Sequence, residues 1–187
     1  MCDNKSKTQW RRFVSGDNSA YDWLFNKYIR ILYRYGLHFT SDGEAVKDCI
    51  HDIFTWLYKN RQRLVVPSNV KVYLFVSLKN RLLRYLHNNR MYEREEMEDL
   101  PFLLEPTVED EYIDNEQFMR QKEMIERMLS IISPRQKEVI YYRFIQELQW
   151  DEVCKLMDLP YQSAQNLLQR ALKKIRENFD FDDAYFQ

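Results

Sequence analysis

The stretch DCIHDIFTWLY (residues 48–58), a polar break at residues 60–69 and the stretch YLFVSLKNRLLRYL (residues 73–86) together decide the fold of this chain. Both stretches repeat apolar residues at helical spacing, which predicts two amphipathic helices. From Ile53 through Tyr92 there are eight Lys or Arg residues and no Asp or Glu. Because the formal net charge of the whole chain is only -1, so basic a segment indicates an anionic partner, with nucleic acid as the first candidate.

The composition favours an all-α fold. Only three Gly and five Pro occur in 187 residues, and apolar and charged residues follow each other at helical spacing. The three cysteines form no disulfide framework and have no metal-ligand spacing with the three histidines, so we predict neither metal nor cofactor. The amino terminus lacks a signal-peptide core, and no apolar run could span a membrane. We therefore expect a cytoplasmic protein without direct membrane insertion.

Charge is distributed unevenly along the chain. Residues 91–117 hold eleven acidic residues and a single basic one, Arg94, whereas the rest carries an excess of bases. This pattern predicts two small helical domains joined by an acidic linker. We place the first domain at residues 1–92, the linker at 93–121, the second domain at 122–180 and an acidic tail at 181–187.

Two helices are predicted before the break at residues 60–69. The first spans residues 20–36 and ends at Gly36, and the second follows a capped turn at residues 41–44. Their inward residues are predicted to be Ala20, Trp23, Leu24, Tyr28, Ile31, Leu32 and Tyr35 in the first helix, and Val46, Cys49, Ile50, Ile53 and Leu57 in the second. Asp48 and Asp52 then share the outward face of the second helix. The residues alone allow either a solvated acidic face or a docking surface for a basic partner.

A third helix, over about residues 70–88, is predicted to bury Leu74, Leu78, Leu82 and Leu86. Its surface is expected to present Lys71, Lys79, Asn80, Arg81 and Arg84. The aromatic residues Tyr73, Phe75 and Tyr85 belong either to the core or to a surface that stacks on unpaired bases.

The second domain has the pattern of a helix-turn-helix. A helix over about residues 118–131 precedes Ser133-Pro-Arg-Gln136, a strong helix start that leads into a helix through Phe144. A short helix from Trp150 to Met157, a turn through Pro160 and a longer amphipathic helix complete the pattern. The outward residues of the last helix are Gln162, Ser163, Gln165, Asn166, Gln169, Arg170, Lys173 and Lys174. No acidic residue occurs from Leu159 through Arg176.

Taken in order, the two halves resemble a bacterial RNA polymerase sigma factor of the extracytoplasmic-function group. Residues 20–90 resemble the module that docks on polymerase and opens the downstream (-10-type) promoter element. Residues 133–176 are similar to the helix-turn-helix module that reads the upstream (-35-type) element. The resemblance covers nearly the whole chain, with a linker between the modules.

The resemblance implies particular site residues. The polymerase-binding motif D-x-x-Q-[DE]-x-F of the family falls on Asp48, His51, Asp52 and Phe54, with His51 in place of the usual Gln. The motif R-N-x-x-x-D-x-x-R is partly kept: Lys79 and Asn80 match, whereas Arg84 and His87 replace Asp and Arg. The residues implied for opened downstream DNA are Lys71, Tyr73, Lys79, Asn80, Arg81 and Arg84. The eight outward residues of the last helix are implied to bind double-stranded upstream DNA, with Gln165 at a position where Lys or Arg is common.

Further implications concern partners. The family binds core RNA polymerase and promoter DNA, both double-stranded and opened, and it often has a membrane-bound anti-sigma factor. Its linker passes through the positively charged RNA-exit path, where carboxylates imitate RNA phosphates; an ordinary disordered tether is an equal alternative.

Two other function classes, an enzyme and a stand-alone regulator, fit the sequence less well. An enzyme would need a phosphate loop, a metal cluster or a nucleophile–base pair, and the sequence shows none of these motifs. A stand-alone helix-turn-helix regulator would leave the acid-free window at residues 53–92 unexplained.

Overall fold

The computed structural model describes residues 2–88, 102–104 and 116–179, and in these ranges the chain forms eight α-helices and no strand. The prediction of an all-α fold is confirmed. The chain divides into two compact units, residues 1–96 and 97–187.

The first unit contains four α-helices: α1 (Cys2–Val14), α2 (Asn18–Leu37), α3 (Gly43–Lys59) and α4 (Val70–Asn88). A 3₁₀ turn, Arg61–Arg63, lies in the break between α3 and α4. Aspartate side chains set two of the helix starts. Asp17 accepts hydrogen bonds from the backbone N–H groups of Ser19 and Ala20, and Asp42 accepts them from Glu44 and Ala45. Hydrogen bonds from Ser19 and Arg12 lower the pKa of Asp17 to about 2.

The core of the first unit follows the predicted helical faces. All the inward residues predicted for α3 and α4 are buried, and so are those of α2 except Trp23 and Ile31, which are half-buried. Tyr35 of α2 and Phe75 of α4 stack with ring centroids 4.1 Å apart. Burial raises the pKa of the Cys49 thiol, which fits an inert core cysteine.

Helix α1 was not predicted from the sequence. Its residues Trp10 and Phe13 are each 1% exposed and extend the core beneath α2 and α4. Ser6, also in α1, is fully buried, and its hydroxyl accepts hydrogen bonds from Tyr28 and Lys27. Because Ser6 is polar, it interrupts the apolar pattern from which α1 could have been predicted.

The sequence predicts that α2 ends at Gly36, but the helix continues to Leu37. The glycine allows α2 and α3 to approach closely. A Cβ atom at Gly36 would overlap with Cγ1 of Val46, which is buried.

The second unit contains four more helices: α5 (Glu116–Ser130), α6 (Pro134–Ile140), α7 (Trp150–Met157) and α8 (Tyr161–Asn178). The predicted helix start is confirmed, since Ser133 and Gln136 form a reciprocal capping box with Pro134 at the first turn. Helix α5 begins two residues before its predicted start, within the stretch predicted as linker. Helix α6 passes into a π-helical turn, Tyr141–Ile145, which leaves Phe144 57% exposed.

Helices α7 and α8 form the predicted helix-turn-helix. Asp158 ends α7 in the left-handed conformation, at φ 52°, and the backbone N–H of Leu159 bonds to the carbonyl of Cys154 at 3.2 Å. The inward residues Ala164, Leu168 and Ala171 of α8 are buried. This packing turns the amide and basic residues of α8 outward.

A short piece of the predicted linker also belongs to the second unit. Phe102 and Leu104 are buried, and the Phe102 ring lies 5.4 Å from that of Tyr141. This part of the linker is therefore packed against the second unit through apolar contacts. The acidic residues at 105–115 and the tail at 181–187 lie outside the described residues.

Membrane-spanning helices and metal sites are both absent from the described ranges. None of the helices there combines the length and apolarity needed to cross a membrane. Nor does that part of the chain bring three His, Cys, Asp or Glu side chains together as a metal site.

At the close approach of α2 to α3, replacing Gly36 by alanine has two opposing effects on stability. Alanine is about 1 kcal/mol better than glycine in a helix interior, whereas overpacking a core costs about 1–3 kcal/mol. Because β-branched Val46 has little freedom to move aside, we expect Gly36→Ala to lower the free energy of unfolding by roughly 1 kcal/mol. Urea denaturation followed by circular dichroism measures it.

Two matched variants control for helix propensity. Asn26→Ala, at an exposed position of α2, should leave stability unchanged or raise it by a few tenths of a kcal/mol. In a Val46→Ala background, Gly36→Ala should become stabilising. A stabilising effect of Gly36→Ala in the wild-type background would contradict the close approach.

Candidate functional site

The outward face of α3 carries the acidic residues singled out in the sequence. Asp48, His51 and Asp52 are all exposed, because the opposite face of α3 is buried against α2 and α4. Asp52 is paired: its Oδ2 atom accepts a hydrogen bond from Nη2 of Arg81 on α4 at 2.6 Å. The two side chains are 52% and 43% exposed, so this ion pair contributes only about 0–1 kcal/mol to stability.

Phe54 does not share this face. It is 2% exposed and contacts Phe25 and Tyr21 of α2, with ring centroids 5.0 and 6.1 Å away. Burial leaves Phe54 almost no exposed surface in this structure, and its contact with polymerase stays a prediction. Its aromatic ring holds α3 against α2 and so orients the acidic face.

A groove beside His51 was missed by the sequence analysis. It lies between α2 and α3 and has a volume of about 560 Å³. Phe25, Ile29 and Ile50 give it an apolar lining; Tyr33 and the basic residues Arg30, Arg34 and Lys47 lie beside them. The outward residues of α2 contribute most of this lining, and their helical spacing in the sequence was the signal that could have shown it. The groove places apolar area next to the acidic face.

The residues predicted to bind opened DNA lie on different sides of α4. Tyr73, Asn80 and Arg84 share one face, since they are separated by seven and four positions along the helix. Asn80 and Arg84 are exposed there, together with His87. Arg81 lies on the flank nearer α3, where it bonds to Asp52.

The predicted surface position of Lys79 is wrong. The sequence predicted it on the surface, yet it is 7% exposed, and its Nζ atom lies 5.9 Å from the centroid of the Phe39 ring. Lysine has a long apolar stem, and an ammonium group over an aromatic face is stabilised by the ring quadrupole. Lys79 is thus part of the core packing and does not lie on the exposed surface of α4. Lys71 is half-buried, with Nζ 5.6 Å from the Phe75 ring centroid.

The Tyr73 side chain is half-buried, so only part of it is accessible for stacking on a base. Its ring lies edge to face with Trp10 of α1, with centroids 5.3 Å apart, and burial raises its pKa. Phe75 is fully buried, so the core alternative holds for that residue.

The predicted DNA-facing residues of α8 do form one surface. Gln162, Ser163, Gln169, Arg170, Lys173 and Lys174 are exposed, and Gln165 and Asn166 are half-exposed. The amides near the start of α8 make local hydrogen bonds: Nε2 of Gln165 donates to the Tyr161 hydroxyl at 2.7 Å, and Nε2 of Gln162 donates to Oδ1 of Asn166 at 3.2 Å. Polar amides at the helix start, followed by bases farther along, match the division between base edges and phosphates in helix-turn-helix proteins.

Both units match known protein families. Residues 24–91 match the family model "Sigma-70 region 2", and residues 122–175 match "Sigma-70, region 4". The comparison with curated proteins finds no match to this sequence.

Two solved structures share the fold. CnrH, solved in complex with the cytosolic domain of CnrY, is 15% identical, with a TM-score of 0.58 over 92% of this chain and 95% of that one. The sigma factor RpoE, solved in complex with the anti-sigma factor NepR from Bartonella quintana, is 15% identical, with a TM-score of 0.53 over 83% and 94% of the two chains. The two family models together cover more than half of the chain, so this protein belongs to the sigma-70 family.

Proposed function

We propose that this chain binds core RNA polymerase and directs it to specific promoters, which it recognises upstream through α8 and opens downstream through α4. The observation that carries the proposal is the division of one helical unit into two surfaces: an acidic face on α3 and an acid-free face on α4. Sigma factors are regulatory proteins rather than enzymes, and a binding role is what these surfaces support.

Polymerase docking is assigned to the outward face of α3 and the adjacent groove. Asp48 and Asp52 offer carboxylates to a basic partner helix, while His51 stands at the edge of the groove. Charge-assisted hydrogen bonds of this kind contribute about 1.5–3 kcal/mol each. The apolar lining supplies buried area that rim charges alone do not.

Opening of the downstream element is assigned to Asn80 and Arg84, with Tyr73 and Arg81 at the margins of the same surface. Asn80 can form hydrogen bonds to an unpaired base, and Arg84 can neutralise a phosphate. Lys79 is left out of this surface because it is buried.

Upstream recognition is assigned to the outward residues of α8. Gln165 and Asn166 lie near the helix start, where base edges are reached, and an amide side chain suits adenine through its N6 and N7 atoms. Lys173 and Lys174 lie two turns farther on and suit phosphates.

The proposal also covers partners. Two neighbours in fold were solved with CnrY and with the anti-sigma factor NepR. By analogy, we infer that an anti-sigma factor regulates this chain, and its anchoring in a membrane stays a prediction. A stand-alone regulator, the alternative left from the sequence, would have no use for the region 2 module.

Docking is tested by charge reversal on α3. Asp48→Arg combined with Asp52→Arg should abolish co-purification with core polymerase, because two charge-assisted contacts are lost and replaced by repulsion. Circular dichroism should show unchanged helicity, since both residues are exposed.

Arg81→Ala is the matched control for docking. It removes the partner of Asp52 and adds no charge to α3, so polymerase affinity should be unchanged or rise by up to about fivefold, the equivalent of 1 kcal/mol. Co-purification that survives the double reversal would refute the docking assignment.

The surface of α4 is tested by salt dependence. In the complex with polymerase, Arg84→Met should reduce the salt slope of binding to opened downstream DNA by about one charge. Lys79→Met should leave the slope unchanged, because the buried ammonium neutralises no phosphate. Fluorescence anisotropy with labelled single-stranded DNA at several KCl concentrations measures both. Equal losses for the two variants would show that Lys79 contacts DNA after all.

A further inference from the structure

Tyr161, the first residue of α8, was not among the predicted DNA-binding residues. It is 52% exposed, and it lies directly before the amide-rich turn of the recognition helix. Its position at the amino end of α8 places it next to the residues assigned to base readout.

The Tyr161 ring is fixed by the body of the module. It lies edge to face with Trp150, the first residue of α7, at a centroid distance of 5.9 Å. On Trp150 in turn, the Arg143 guanidinium lies 5.5 Å from the ring centroid, and Arg143 Nη1 bonds to the carbonyl of Leu148 at 2.7 Å. A continuous set of contacts therefore runs from the π-helical turn through α7 to the start of α8.

The hydroxyl of Tyr161 constrains the amide of Gln165. Nε2 of Gln165 donates a hydrogen bond to this hydroxyl at 2.7 Å. The terminal torsion of a glutamine is soft and close to two-fold, so a free amide presents its oxygen or its nitrogen to a base with little preference. Adenine needs one orientation, with the oxygen toward N6 and the nitrogen toward N7. The bond to Tyr161 uses one of the two amide hydrogens, so the other hydrogen and the oxygen are left for the base.

We propose that Tyr161 is a positioning residue that orients Gln165 to read adenine in the upstream promoter element. The proposal rests on the function assigned to α8 above. Because the Tyr161 oxygen accepts from Gln165, its own O–H remains to donate to a DNA phosphate. Once that O–H donates to a phosphate, the Tyr161 oxygen can only accept, so the Gln165 nitrogen has to face it. The phosphate contact and the base contact are then joined in one hydrogen-bonded chain.

A second pair of side chains in the same helix turn provides an internal comparison. Gln162 and Asn166 also bond at i and i+4, at 3.2 Å, but both are amides and neither is an aromatic ring fixed on α7. Gln162 therefore lacks the anchored ring that distinguishes Tyr161.

Tyr161→Phe tests the proposal, since it keeps the ring on Trp150 and removes only the hydroxyl. The full-length chain bound to core polymerase selects duplexes from a randomised upstream library, and the bound pool is sequenced. The wild type should enrich adenine at one position at which Gln165→Ala loses the preference. Tyr161→Phe should reduce the adenine preference at that same position by roughly 3- to 10-fold, the usual worth of one hydrogen bond. Asn178→Ala, which removes an exposed amide at the far end of α8, should not change it.

The outcomes separate the positioning role from the function on which it rests. If Tyr161→Phe weakens binding to all sequences equally, Tyr161 is only a phosphate contact and the positioning role is wrong. The same conclusion follows if Gln165→Ala changes the preference and Tyr161→Phe does not. A pool that Gln165→Ala leaves unchanged overturns the assignment of Gln165 together with this proposal, and an unenriched wild-type pool overturns upstream recognition itself.

Discussion

Burial of one side of α3 between α2 and α4 is the constraint from which the arrangement of the first unit follows. Seven side chains of this helix are buried, from Ala45 to Leu57. With that side fixed, Asp48 and Asp52 have to face outward. Close approach of α2 at Gly36 and the aromatic contacts of Phe54 set how α3 is rotated against its neighbour. The apolar core thus fixes the position of the acidic surface.

The same packing connects two surfaces with different proposed partners. Asp52 of the docking face and Arg81 of the DNA-opening helix are bonded at 2.6 Å. Since an exposed ion pair contributes only about 0–1 kcal/mol, a cationic partner at Asp52 can replace Arg81 at little cost. In the proposed complex, docking on polymerase would then release a guanidinium toward the opened strand. The energy involved is small, so this link adjusts DNA affinity by a few-fold at most.

Much of the fold follows from local patterns in the sequence. Helical periodicity predicts α2, α3 and α4, and the capping residues at Ser133 and Gln136 predict the start of α6. What could not be predicted depends on contacts distant in sequence. Ser6 is buried because Tyr28 and Lys27 satisfy its hydroxyl, and Lys79 is buried because Phe39 lies beneath its ammonium group. The helical pattern places Lys79 on the surface and predicts no helix around Ser6. Phe54, to which the family resemblance gives a polymerase contact, is buried.

Transcription with purified core polymerase tests the central claim most directly. Core enzyme and this chain together should produce transcripts from discrete start sites on a library of genomic fragments, and neither should do so alone. Permanganate footprints upstream of those start sites should show opened DNA only when both are present. Specific footprints made by this chain without polymerase, with no discrete transcripts in its presence, would instead identify a stand-alone regulator and contradict the account.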